Sequence, residues 1–247
     1  MAKFGIEAIR YFKNVRAAGV STAGDLTYTF NRANGFKNKL RSAGHTQTFY
    51  WSNTNCFERD FRDTTLGGDD SQWADKVDIV WLETHGNNTS KGPRVLFDVK
   101  RDEWRANGSD WRLGNVDLEW MMLFSCSTVN RSNVGALWPI FRGLHIYCGA
   151  YSFMYDGYTT DECGEDVADN LTDGETVSES WIDGVSDWWV DNHPITVCPA
   201  SAWVYNNGNV RWNSSFLNKD HFWGHGTVLP DPAMNDQVAL LYRWSEG

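Results

Sequence analysis

VDIVWLETHG, residues 77–86, is a near-continuous apolar run that stops at a polar turn. A strand with one wet face would alternate apolar and polar residues. An unbroken run of Val, Ile, Trp and Leu is instead the pattern of a strand buried on both faces of a parallel sheet. LEWMMLFSCST (Leu118–Thr128) and LHIYCGAY (Leu144–Tyr151) read the same way. Outward from these three, FGIEAIRYF (Phe4–Phe12) and QTFYW (Gln47–Trp51) read as strands, and RVLFDV (Arg94–Val99) as a short strand or hairpin arm. Leu26–Gly44 carries apolar residues at helical spacing, with Gly44 placed as a C-cap. Asn133–Gly143 predicts a short helix with a proline in it or near its end, and Glu162–Gly174 and Thr176–Asn192 predict two more helices. Ile195–Tyr205 and Gln237–Trp244 read as two late strands. Strands alternating with helices predict one α/β domain over residues 1–247, a three-layer α/β/α sandwich with a mostly parallel sheet.

Composition narrows the function. The 22 Lys and Arg against 32 Asp and Glu give a net charge of −10, which argues against non-specific nucleic-acid binding. No stretch approaches the ~18 consecutive apolar residues of a spanning helix. The first residues hold no apolar run of signal-peptide length, so the expectation is a cytoplasmic chain with no membrane partner. The five cysteines form no C-x-x-C pair, and their odd number argues against a disulfide framework or a structural zinc site. Cys148 and Cys198 lie inside apolar strands and read as core, whereas Cys56 and Cys163 sit in polar surroundings that predict exposure. Fourteen tryptophans spread along the whole chain read as packing residues rather than as one aromatic surface.

In open α/β sheets ligands bind beyond the carboxyl ends of the strands. Two of the buried strands end in reactive residues: the first in His85-Gly86, the second in Cys126. Side by side, a thiol and an imidazole form a nucleophile and its general base. Gly86 lacks a Cβ that would obstruct approach to its N–H, so it and the Cys126 amide are the oxyanion donors expected here. Past the third buried strand, Tyr151, Phe153, Tyr155 and Asp156 are the expected substrate-contacting residues, followed by an acidic stretch, Thr159–Asn170. An acidic rim would favour a basic substrate group, but carboxylates at a helix start are the plainer account of that stretch. Glu83 and Asp156 are the carboxylates placed to act as a third group, Glu83 sharing side-chain parity with His85. His221 and His225 are four apart, as on a metal-binding helix face. Gly224 and Gly226 disfavour a helix there, and the Glu of a zinc-hydrolase motif is missing, so neither metal nor cofactor is expected.

The order of apolar strand, His-Gly, apolar strand, small residue and Cys resembles the caspase-like (clan CD) cysteine peptidases. GIEAIRYF, VDIVWLETHG, LFSCST and GLHIYCGAY bring the chain closer still to a bacterial family, the DUF6345 family. The resemblance implies His85 as base, Cys126 as nucleophile and Gly86 as oxyanion donor. The fold it implies is a caspase-like one. The implied function is a cysteine-dependent hydrolase or acyl transferase, peptidase-like, acting on a peptide or a small carbonyl substrate. Where caspases carry Gln-Ala-Cys this chain has Phe124-Ser125-Cys126, so caspase specificity does not carry over. A biosynthetic enzyme reusing the pocket on a small molecule, and a non-catalytic binding module, are the alternatives.

Overall fold

The computed structural model describes residues 1–186, 190–205 and 209–246. In chain order the elements are β1 (Lys3–Ala8), α1 (Lys13–Ala17), α2 (Thr29–Ser42), β2 (Thr46–Ser52), β3 (Ile79–Glu83), β4 (Gly86–Thr89), β5 (Gly92–Leu96), β6 (Arg105–Asn107), β7 (Trp120–Phe124), β8 (Ile146–Ala150), α3 (Cys163–Asp173), α4 (Val177–Val185), β9 (Pro194–Ala200), β10 (Ala202–Tyr205), β11 (Asn209–Trp212), α5 (Ser215–Lys219) and β12 (Ala239–Trp244). A seven-stranded sheet in the order β12-β9-β8-β7-β3-β1-β2 forms the middle layer. Its five strands from β8 to β2 are mutually parallel, and β9 and β12 extend it in antiparallel pairings.

The period of two along each strand sorts the core into two halves. Phe4 and Ile6 of β1, Ile79 and Trp81 of β3, and Trp120 and Met122 of β7 pack beneath α2, α3 and α4. Val80 and Leu82 of β3 and Met121 and Leu123 of β7 face the other way. There they meet Phe12 and Val15 of the α1 region and residues from a series of short 3₁₀ turns. The α/β class, the mostly parallel sheet and the layers are therefore as the sequence predicts. Gly5 shows how tightly the layers close, since the Phe49 ring occupies the space a Cβ would need.

Several elements differ from their reading. The first strand ends at Ala8 rather than Phe12, because the Asn53 side chain takes the N–H groups of Arg10 and Tyr11 and draws the chain off the sheet. Arg131–Ile140 is 3₁₀ rather than α-helical, kinked at Asn133 (φ −140°, ψ 44°) and containing Pro139, which has no N–H to donate. Ile195–Tyr205 splits into β9 of the main sheet and β10, which pairs with β11 in a hairpin of its own. RVLFDV supplies β5 to a separate antiparallel sheet, β4-β5-β6. The helix from Thr176 ends at Val185, and residues 187–189 of the stretch read as helical lie outside the described residues. Cys56 and Cys163 are both buried, Cys56 among Phe12 and Phe61 and Cys163 at the start of α3 facing the helix-side core. No helix among the described residues is long and apolar enough to cross a membrane.

The amino-terminal edge of the sheet gathers Asp78, Asp117, Glu119 and Asp231. Burial, then these neighbouring carboxylates, push Glu119 up to about 9 from an ordinary 4.5. The folded chain thus holds a proton that the unfolded chain has released, and stability falls as pH rises from about 5 toward 9. Glu119→Gln removes that titration, so urea unfolding across this range is expected to show a shallower decline in the variant than in the native chain.

Candidate functional site

β1 lies between β2 and β3, so successive connections from it run to opposite sides, and a crevice opens at the carboxyl ends of these strands. β3 and β7 are neighbours with Glu83 opposite Phe124. His85 and Cys126 each lie two residues beyond that last matched pair, and both line one cleft with Thr84, Ser125 and Met154. The cleft encloses about 20 Å³, room for roughly one water.

Backbone groups set the His85 ring. Its Nε2 lies 2.8 Å from the Gly24 carbonyl, an acceptor only, so Nε2 donates and the neutral ring keeps its lone pair on Nδ1. The Phe12 ring packs 4.7 Å from the imidazole. Gly24 is held in turn by its neighbours: Arg16 donates to the Ala23 carbonyl (2.7 Å) and to Asp25 (2.9 Å), and Asp25 accepts the Phe12 N–H (3.1 Å). The Phe12 amide, then Arg16, hold the Asp25 carboxyl below its usual range.

Cys126 is the one half-buried cysteine; the other four are buried. Burial pushes the Cys56 and Cys148 thiols well up, and Cys198 to about 12, so none of these three is a reactive thiolate. The Cys126 Sγ accepts the Met154 N–H at 3.4 Å and lies 3.5 Å from the Met154 carbonyl. Ser127, the next residue, has φ 51°, a left-handed conformation that costs a non-glycine residue about 1–2 kcal/mol. Its N–H donates to the Ser152 carbonyl at 2.6 Å, which fixes the sharp turn that follows the thiol.

Gly86 packs directly on Ser125. A Cβ there would lie well inside contact distance of the Ser125 hydroxyl, which is buried and has no hydrogen-bond partner among the described residues. The small residue before the cysteine and the glycine after the histidine are thus two sides of one close approach. The Leu96 N–H donates to the His85 carbonyl, so Gly86 and Val95 face each other as the non-hydrogen-bonded pair of the β4–β5 ladder. In such a pair the Gly86 N–H points away from β5.

Beneath His85 and Cys126 lies a buried ionic cluster. Arg32 of α2 donates to Glu83 from Nε (2.8 Å) and from a terminal nitrogen (2.6 Å), and to Asp156 at 2.7 Å. It also bonds Thr160 Oγ1 at 3.1 Å and lies 4.4 Å over the Phe124 ring. Desolvation alone would lower the guanidinium; Glu83 and Asp156 together raise it. Burial raises Glu83, with Arg32 pulling the other way. Asp156 further accepts the N–H groups of Thr27 and Tyr28, which ties the segment after Gly24 to the loop after β8.

Of the substrate-contacting residues read from the sequence, Asp156 lines the cleft, with its carboxylate engaged by Arg32. Tyr151, Phe153 and Tyr155 lie outside its walls. Phe153 and Tyr155 point outward, 61% and 47% exposed, and Tyr151 stacks on His193 at 5.0 Å. Glu83 lines the cleft and bonds Arg32 and, more weakly, Trp81 (3.4 Å). His221 bonds the Lys219 carbonyl and His225 pairs with His45, so the two histidines do not converge. His145 is buried between Asp220 (2.9 Å) and Asp231 (3.3 Å).

Sequence reading missed Arg32, Met154 and the Gly24 carbonyl, and marked Ser125 only as the small residue before the cysteine. Arg32 left a signal: it stands on the stripe Arg32, Phe36, Leu40 of α2, where a charge needs a partner. Arg32→Ala leaves Glu83 buried without its cation, and the expected cost is about 3–5 kcal/mol. Urea unfolding of this variant against the native chain measures it.

Residues 6–246 match the domain of unknown function DUF6345, and the chain belongs to that family. No curated protein matches it. Among solved structures it is similar to the Drosophila initiator caspase Dronc, with 12% identity and a TM-score of 0.40, over 68% of this chain and 62% of that one.

Proposed function

We propose that this DUF6345 member is a cysteine-dependent hydrolase or acyl transferase that acts on an amide or related carbonyl through Cys126 and His85. The observation that carries the reading is the register of β3 on β7. It sets His85 and Cys126 at one level of adjacent parallel strands and on the walls of one cleft. In this reading Nδ1 of His85 takes the thiol proton as Sγ attacks the carbonyl carbon. The same imidazolium gives that proton to the leaving nitrogen or oxygen, and a thioester remains on Cys126. Water, or a second acceptor nucleophile, then releases the acyl group. The outward Gly86 N–H and the Cys126 N–H are the donors to the oxyanion. No carboxylate is needed as a third group, because the Gly24 carbonyl already orients the imidazole and would stabilise its charged form.

The peptidase-like form of this chemistry draws support from the His-Gly and Cys motifs, which resemble those of the caspase-like clan. Cytoplasmic location and a peptide substrate are part of the same proposal.

Alkylation of Cys126 by iodoacetamide at pH 7, followed by peptide mass spectrometry, tests it. A free thiol with pKa near ~8.5 is little ionised at that pH. The native chain is expected to label quickly at Cys126 alone, His85→Ala at least about tenfold more slowly. Asp25→Ala, which loosens the support of Gly24, is expected to fall between them. Labelling that is slow and indifferent to His85 would move the chain to the binding-module reading.

A further inference from the structure

The small sheet carries two arginines that the fold does not pair. Arg94 of β5 faces Asn107 of β6, and Leu96 faces Arg105. Opposed residues on antiparallel strands share a face, as do residues two apart along one strand. Arg94 and Arg105 therefore stand on one face as diagonal neighbours, while Val95 and Ala106 fill the core from the other. Both arginines line a cavity of about 210 Å³ that also reaches His85, Gly86 and Ser21. A second chamber, of about 240 Å³, shares both of them and adds Asn107 and Trp104.

Their hydrogen bonds go to neutral acceptors. Arg94 Nε donates to Asn107 Oδ1 at 3.0 Å, and Arg105 donates to the Val20 carbonyl at 2.7 Å. Among the described residues neither guanidinium forms an ion pair, and the one carboxylate on these walls, Glu103, is solvent-exposed. The chain bears a net charge of −10 and has acidic groups to spare, yet two cations stand together here. Like charges at neighbouring cross-strand positions repel. An anion between them relieves that repulsion and takes up the remaining guanidinium N–H groups, whose planar fork matches a carboxylate.

We propose that Arg94 and Arg105, with Asn107, form a carboxylate-binding chamber beside His85 that receives an acidic group of the substrate. The word substrate rests on the dyad reading; the chamber itself rests on the geometry of the small sheet. The substrate class is thus a carbonyl compound or peptide with a free carboxylate within one or two residues' reach of the reacting carbonyl.

The test is titration of the full chain with succinate, and separately with its neutral diamide succinamide, followed by the ring resonances of ¹⁵N-histidine, with His85 assigned from His85→Gln. Succinate is expected to shift His85 saturably and more weakly as salt rises, and succinamide to leave it unmoved. Arg94→Gln and Arg105→Gln, both half-exposed positions, are each expected to weaken succinate about tenfold, and Arg94→Lys by less. Equal response to the two compounds, no response to either, or no effect of the arginine changes would overturn the chamber. Inorganic phosphate displacing succinate at lower concentration would overturn the choice of carboxylate. Succinate binding with an unreactive Cys126 would leave the chamber standing and remove the catalytic reading. A reactive Cys126 without succinate binding would remove the chamber alone.

Discussion

One buried guanidinium holds the carboxyl edge of the sheet together. Arg32 joins α2 to the last residue of β3, to the loop after β8 and, through its stack on Phe124, to the last residue of β7. Arginine suits the position because it is more weakly hydrated than an ammonium and its fork serves several acceptors at once. The cluster closes only with all its members present. Among the described residues Glu83 has no other cation, and Asp156 without Arg32 would hold two backbone amides on an otherwise open loop. Such a group adds little net stability over a well-packed apolar core. What it supplies here is position, because β3 and β7 are the strands that lead into His85 and Cys126.

Above that cluster, the arrangement is built mostly from the backbone. The register of β3 on β7 sets the level of the two side chains. A carbonyl from residue 24 selects the imidazole tautomer, the Met154 backbone brackets the thiol, and a left-handed Ser127 turns the chain away from it. This economy explains why Ser125 and Gly86 must both be small. Their contact brings the turn after β7 against the start of β4, and an added methyl would force the two loops apart.

That division also explains what could be read from sequence. β3, β7 and β8 are legible because strands buried on both faces need an unbroken apolar run, and their ends point to His85 and Cys126 without further information. A carbonyl such as Gly24's carries no side-chain signature, and neither does the 3₁₀ course of Arg131–Ile140, where tertiary packing sets the backbone. Asn87–Pro93 has loop composition, yet only Ser90 and Lys91 form a turn there, and the residues on either side pair as β4 and β5, from Gly86–Val95 to Thr89–Gly92. Phe153-Met154-Tyr155 drew attention for its aromatic rings. Those rings are exposed, and it is the backbone of Met154 between them that meets the thiol. Arg32 was visible as a charge on an apolar stripe, but its two carboxylate partners lie 51 and 124 residues away in sequence.

In the proposed reaction Cys126 accepts an acyl group with the help of His85, and an activated ester tests this without knowledge of the natural substrate. Mixing the native chain with p-nitrophenyl acetate and following nitrophenol release, with intact-protein and peptide mass spectrometry in parallel, reads both the chemistry and its site. A burst of one equivalent, with an acetyl group on Cys126, is expected. The burst should be absent in Cys126→Ala and strongly slowed in His85→Ala. Acetylation spread over lysines with Cys126 unmodified, or a burst untouched by loss of His85, would contradict it.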